Sequence, residues 1–327
     1  MLFLTATDGR PVYSAMWGEQ EELQQEAASF LQERLAKVSA NNRIILTQAF
    51  LGRIIYILLR YVVITEGGVI LQASCGYLEL AVNWITHVKA LGITNWLTIA
   101  EDETALRFLE ARYPGHVVRR SAFFEEAVSG VGLYEWSSAS FAQAACVRPV
   151  YLEMVLDLGY EVLWSDMDAA WLQPFFQLSP AGLDYVGVDD SDTENEQETD
   201  NASTGLMYFR PTERSQQLLL DWHAQCQDQI SISNSIRNSQ GAFNRALSSA
   251  AAIPGRLNFN IMPKQLYPHG ALVEQLGYKH GEDEAAFDPA WVHANHRVGH
   301  AEKKDFLRDS AVWANDDGAI LVPLCPA

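Results

Sequence analysis

GYEVLWSDMDAAWLQPFF, residues 159–176, carries a strand, two acidic residues and an apolar run in immediate succession. Gly159 can end a preceding helix, because glycine takes the left-handed C′ conformation without penalty. Tyr160, Val162, Leu163 and Trp164 form a short, β-rich apolar run that predicts a buried strand. Asp166 and Asp168 follow, and alternate side chains of an extended chain share a face. Both carboxylates can therefore point at one spot beyond the C-terminal edge of the strand, where open α/β sheets bind their ligands. Two carboxylates there repel each other unless a cation lies between them. Oxygen ligands suit Mg²⁺ or Mn²⁺, held together with substrate phosphates. The stretch predicts a metal–diphosphate site.

The chain contains its own control. Asp190-Ser191-Asp192 has the same spacing after the strand-like run 185–188, but it continues into TENEQETD, which has almost no apolar content and reads as a solvated loop over 189–200. The first pair runs directly into Trp171, Leu172, Pro174, Phe175 and Phe176, which need a core. The metal expectation therefore belongs to Asp166 and Asp168.

The 327 residues are 48% apolar, enough for one large domain or two small ones, and 41 acidic against 23 basic residues give a formal charge of −18. That charge argues against nucleic acid as a partner, and a phosphorylated ligand would need a local cation. Four scattered cysteines, at 75, 146, 226 and 325, show no paired spacing and read as small buried hydrophobes. No apolar run is long enough to span a bilayer, and residues 1–15 lack the pattern of a signal peptide. Asn201-Ala202-Ser203 is a formal glycosylation sequon. A glycan there would collide with the expected active site, which favours a soluble, cytoplasmic setting. A Golgi or ER lumen would require an anchor outside this chain.

Along the chain, 19–35 reads as an amphipathic helix, which sets apart an N-terminal arm over 1–42 from a catalytic domain over 43–327. A strand is expected over 54–65, ending in Thr65-Glu66-Gly67-Gly68. Then come a helix over 77–91, a strand over 96–100, a helix over 104–113 and a strand at 117–118. This alternation is the signature of a Rossmann-like, mostly parallel sheet. A loop is expected over 123–140 and a helix over 142–158, its ends blurred by the internal Pro149. Strands at 185–188 and 205–209, a helix over 212–225, a loop over 227–239 and a short helix over 241–247 follow. In the tail, His293, His296 and His300 are spaced for a zinc-binding helix, but Asn295 and Gly299 interrupt it. A single imidazole closing over a metal and phosphates fits better, with Lys303 or Lys304 neutralising phosphate charge.

LGYEVLWSDMDAAWLQPFF, NASTGLMYFRPT, QGAFN and the tail VHANHRVG followed by Lys303-Lys304 together resemble the nucleotide-diphospho-sugar transferase family of GT-A type. Plant cell-wall xylosyl- and arabinosyltransferases and protist α-galactosyltransferases belong to it. The resemblance runs from about Tyr61 to Arg308. It implies a single α/β catalytic domain of GT-A type, with Asp168 and His293 on Mn²⁺ (or Mg²⁺) and Asp166 facing the ribose or the metal. It implies Thr65 and Asp102 at the nucleotide and Arg148 at the diphosphate or sugar. Asn201, Thr204 and Gly205 would line the sugar pocket; the tail's own pattern, apart from the resemblance, adds the backbone of Asn295 and Gly299, with Lys303, closing over the metal and phosphates. Family members usually carry Asp-Gln where this chain has Ser239-Gln240, so only Gln240 carries over. The implied chemistry is retaining transfer of a galactose-, xylose- or arabinose-class sugar from a UDP-sugar to a glycan or protein acceptor. Asp189, Asp190 and Gln240 stay open as the group facing the anomeric carbon. Two alternatives are a nucleotidyltransferase and a nucleotide-sugar binder that transfers nothing.

Overall fold

The computed structural model describes residues 43–46, 69–119, 145–157, 159–175, 182–191, 201–232, 239–282 and 287–314. The helix expected over 19–35, the strand over 54–65 with Thr65, the loop over 123–140 and the acidic run 192–200 lie outside these residues.

Strand β1 (Arg43–Leu46) and strand β2 (Val69–Ala73) both lie parallel to β3 (Trp96–Ala100) and to β5 (Glu161–Ser165). Neither β1 nor β2 was anticipated; the longer apolar run at 54–63 masked the five-residue VILQA beside it. Helix α1 (Leu78–Ala90) connects β2 to β3, and α2 (Glu103–Arg112) connects β3 to the edge strand β4 (Val117–Arg119). All five residues of β3 are buried, as befits a strand covered on both faces.

Helix α3 spans Arg148–Asp157, and the expected start at 142 lies outside the described residues. Pro149 therefore sits in its first turn, where no intrahelical N–H is required, and gives it a sharp start. Gly159, at φ +83°, ends the segment as expected. Beyond β5 come β6 (Ala169–Trp171), β7 (Tyr185–Asp189) and β8 (Ala202–Phe209), followed by α4 (Glu213–Ile232) and α5 (Ser239–Ala251). Both helices are longer than expected, and α4 takes in part of the predicted loop. The last described elements are β9 (Phe259–Met262), α6 (Gly270–Gln275), β10 (Trp291–His293) and α7 (His300–Asp309).

The sheet is mixed. Strand β8 lies antiparallel between β5 and β7, and β9 extends it parallel to β7. A separate antiparallel ribbon pairs β6 with β10, setting Trp171 opposite Trp291 and Ala169 opposite His293. Apolar cores lie on both faces. One gathers Trp84, Trp171, Trp291, Tyr267 and Phe306 under α1, α6 and α7. The other gathers Trp164, Trp222, Phe209 and Phe243 under α3, α4 and α5.

The cysteines correct the sequence reading. Cys146 and Cys226 form a disulfide across 80 residues of sequence, and Cys75 is disulfide-bonded as well. Nothing in the local spacing marks such a pair. A cross-link closing a loop of that length is worth about 4 kcal/mol through the entropy it removes from the unfolded chain.

Asp184, 1% exposed, ties three elements together at the start of β7. Its carboxylate accepts hydrogen bonds from Arg214 Nε (2.7 Å), Thr212 Oγ1 (2.9 Å) and the Asn258 N–H (2.8 Å). Burial pushes this carboxyl up, but the Arg214, Asn258 and Thr212 hydrogen bonds outweigh it and hold it below its usual range. A carboxyl depressed in the folded state contributes stability that is complete above its unfolded value and is lost as pH falls through the folded one. Asp184→Ala should therefore lower unfolding free energy by about 3 kcal/mol at neutral pH. The deficit relative to wild type should shrink below about pH 4. Urea melts at pH 7 and pH 3 measure both.

Candidate active site

Where β5 ends, the Asp166 N–H donates to the Gly205 carbonyl of β8 (2.7 Å), which anchors the turn that carries both acidic residues. The chain then enters β6, and the Asp168 carbonyl accepts the Ala294 N–H (2.9 Å), continuing the ribbon with β10. That pairing delivers His293 to the carboxylates. His293 Nε2 stands 3.1 Å from Asp168 Oδ1 and 3.9 Å from Asp166 Oδ2. One ligand atom from each of the three residues falls within 4.8 Å of the others.

Two cations balance the carboxylates. Arg148, 7% exposed at the start of α3, reaches Asp166 Oδ1 at 3.4 Å and donates to the Thr204 carbonyl at 2.7 Å. Lys303 on α7 contacts Asp168 Oδ2 and donates to the Ala294 carbonyl at 3.1 Å. Burial pushes the Asp166 carboxyl above the usual range; Arg148 opposes that and the Asp168 charge adds to it. Burial acts on Asp168 in the same sense, but Lys303 and His293 hold it well below the usual range.

The three-residue set passes a chemical test of fit for Mn²⁺ or Mg²⁺. The two carboxylate oxygens suit either ion, and the imidazole nitrogen, a softer ligand, favours Mn²⁺ over the harder Mg²⁺. The imidazole packs directly against Gly205, where a Cβ would stand 2.5 Å from His293 Cε1 and 3.2 Å from Asp166 Oδ2, so only glycine lets the ring and the Asp166 carboxylate come this close. Buried His293 Nδ1 has no hydrogen-bond partner among the described residues, so no protein group pulls the ring out of this orientation.

Beside this cluster lies a second one, built on Asp190. Its Oδ2 accepts from Gln240 Nε2 (2.9 Å) and its Oδ1 from Asn295 Nδ2 (2.7 Å). Gln240 Oε1 in turn accepts the Thr204 N–H (3.1 Å), and Asn201 Nδ2 donates to the Asp190 carbonyl (2.9 Å). Burial pushes the Asp190 carboxyl up, while Gln240 and His293 pull it down.

Of the expected site residues, Asp166, Asp168, His293, Arg148, Lys303, Gly205, Thr204, Gln240, Asp190, Asn201 and Asn295 converge here. Gly299 (φ +83°) starts α7 and so aims Lys303. Asp102 has both carboxylate oxygens engaged by backbone N–H groups, capping α2 through Ala105 and holding Cys75. His296 and His300 are not gathered with His293: they face Glu274 (3.0 Å) and Glu79 (3.2 Å). Lys304 likewise belongs to Glu79 on α1 (2.9 Å), which leaves Lys303 as the lysine at the site. Two supporting residues went unread. Asn244 accepts the Ala202 N–H (3.1 Å), and Ser165 Oγ accepts from the indoles of Trp84 (3.1 Å) and Trp171 (3.2 Å). The position of Ser165 directly before Asp166 was its one visible signal.

A family model described as nucleotide-diphospho-sugar transferase matches residues 91–307. A UDP-D-xylose:L-fucose α-1,3-D-xylosyltransferase of Arabidopsis thaliana is 29% identical over 287 residues, 80% of this chain and 73% of that protein. A UDP-galactose:fucoside α-3-galactosyltransferase of Dictyostelium discoideum is 22% identical over 285 residues, 76% of this chain and 43% of that protein. Among solved structures, a galactosyltransferase LgtC complex with donor and acceptor sugar analogues is similar at 9% identity and TM-score 0.48, over 74% of this chain and 94% of that one.

Gly205→Ala tests how tightly the cluster is built. The added methyl group must displace the His293 ring, so Mn²⁺ affinity measured by calorimetry should fall about tenfold or more, in the range seen when ligand orientation is disturbed. The far-UV circular dichroism should stay that of wild type.

Proposed function

This chain belongs to the nucleotide-diphospho-sugar transferase family, and on that premise we propose that it is a retaining, divalent-cation-dependent glycosyltransferase. It would move a xylose-, galactose- or arabinose-class sugar from a UDP-sugar to a hydroxyl of a glycan or protein acceptor. The coarser activity, a glycosyltransferase using a UDP-sugar, follows from the family and from the named relatives. The observation that carries the finer reading is the meeting of Asp166, Asp168 and His293 with Arg148 and Lys303 on either side.

Charge supports it. The two carboxylates and the two basic side chains cancel, so the protein offers a near-neutral cradle inside a chain of net charge −18. A divalent cation held by Asp166, Asp168 and His293 would leave a net positive site matched to a nucleotide-sugar diphosphate. Such an ion, when bound, supplies Lewis-acid stabilisation of the leaving diphosphate. Arg148 and Lys303 contribute fixed positive charge where the bond between the sugar C1 and the phosphate oxygen breaks and the electron pair departs with UDP. Asp190, held by Gln240 and Asn295 and linked through Gln240 to Thr204, would face the sugar. The acceptor oxygen forms the new bond to C1 on the face the diphosphate leaves, and its proton passes to the departing phosphate.

The Cys146–Cys226 disulfide supports folding in an oxidising compartment, in place of the cytoplasmic setting favoured by the sequon argument. Among the described residues, no helix is long and apolar enough to cross a membrane.

The test is UDP release from UDP-xylose, UDP-galactose and UDP-arabinose with Mn²⁺, with and without EDTA. One donor should be turned over and EDTA should abolish turnover. Asp168→Asn should lose about 10²–10³-fold in rate, the usual cost of removing one group that stabilises developing charge, while still giving a cooperative melt, at a lowered temperature because Lys303 and His293 lose their buried anionic partner. Activity that survives EDTA would eliminate the metal. Binding of UDP without turnover of any donor would favour a non-transferring binder, and formation of UDP-sugar from a sugar phosphate a nucleotidyltransferase.

A further inference from the structure

Asn295 was expected among the groups that close over the diphosphate, but its side chain is committed elsewhere at both ends. Its Oδ1 accepts the Gly270 N–H (2.9 Å) and its Nδ2 donates to Asp190 Oδ1 (2.7 Å). The Gly270 N–H can only donate, so it fixes which end of the amide is oxygen and turns the NH₂ toward Asp190. Gly270 must also be glycine for this to happen, since a Cβ there would stand 2.2 Å from His296 Nδ1 and 2.6 Å from the His293 carbonyl. On the other side of Asp190, Gln240 donates to Oδ2 and is itself oriented by the Thr204 N–H. Asp190 is thus gripped by two amides, each held in a single orientation by a backbone N–H.

The neighbouring Asp189 is arranged differently. Its Oδ1 accepts the N–H of Ser191 in its own turn, 2.9 Å away, and neither Gln240 nor Asn295 is bonded to it. Of the two adjacent acids, only Asp190 is aimed by elements from distant parts of the chain.

We propose that Asn295 is a positioning residue for Asp190, and not a diphosphate ligand. It fixes the carboxylate against the sugar and links it to the tail that also carries His293 and Lys303. This rests on the transferase reading above, with Asp190 as the group that faces the donor sugar.

Two readouts separate the roles, using the full chain and the donor that wild type turns over in the panel. In Asn295→Ala, turnover at saturating donor should fall about 10²-fold, the cost of an ångström-scale misplacement. UDP affinity with Mn²⁺, by calorimetry, should stay within about threefold of wild type, since no phosphate contact is lost. Asp190→Asn combined with Asn295→Ala should be no slower than Asp190→Asn alone, because residues acting through one group are not additive. Asn295→Ser, whose hydroxyl can still accept the Gly270 N–H, carries the same expectations should the alanine variant fold poorly. A tenfold or greater loss of UDP affinity with turnover unchanged would make Asn295 a phosphate ligand and overturn the proposal. Multiplicative losses in the double variant would overturn it as well. A wild type that turns over no donor would remove the transferase reading, and this assignment with it.

Discussion

Two carboxylates pushed together inside a protein repel each other and lose hydration, and both penalties grow as the surroundings become less polar. Asp166 and Asp168 incur both, and much of the architecture around them compensates. Arg148 is buried almost completely, which is costly for a guanidinium, yet from the first turn of α3 it reaches Asp166 and the Thr204 carbonyl together. Lys303 comes from the opposite end of the chain. Gly299, at a positive φ, lets the backbone turn sharply enough to start α7 with Lys303 facing inward. The ordering of α3, β8 and α7 around the β5 edge is the shape that satisfying these charges takes.

Support for the acidic turn extends below it. The Ser165 hydroxyl accepts from two indoles, Trp84 of α1 and Trp171 of β6, and donates to the Asp166 carbonyl (3.2 Å). A hydroxyl has one donor and two acceptor positions, so all of its capacity is used. The large aromatic core on that face therefore packs under the site and is also hydrogen-bonded to its backbone. Rigid support of this kind holds ligating side chains better than a loop alone could.

What could be read from sequence was what short-range chemistry writes locally. Gly159, the apolar run before Asp166, the helical pattern of 77–91 and the basic tail all have causes within a few residues, and each has a counterpart in the structure. Asp190 was harder. Its sequence context reads as an acidic, solvated loop, although its neighbours Asp189 and Ser191 are buried, and only amides from α5 and the tail, 50 and 105 residues away, bring it into the site. The same distance hid the Cys146–Cys226 pair, whose halves sit in unrelated local patterns. The pairing of β6 with β10 was invisible too, because three-residue strands carry almost no periodicity. Pro149 misled for a different reason: a proline blurs a helix when it is interior and sharpens one when it stands in the first turn.

That small ribbon has a kinetic meaning. Asp168 and His293 are 125 residues apart in sequence, so their meeting closes one of the long loops of the chain, and closures of that span form late and slowly. A ligand that bridges the two ends can bind only molecules in which the ribbon has zipped. It would then act as a ratchet on folding, worth about 2.7 kcal/mol at a free concentration of about one hundred times its dissociation constant. A cation that bridged Asp168 and His293 would thus favour the zipped ribbon over the open chain, before any question of turnover arises.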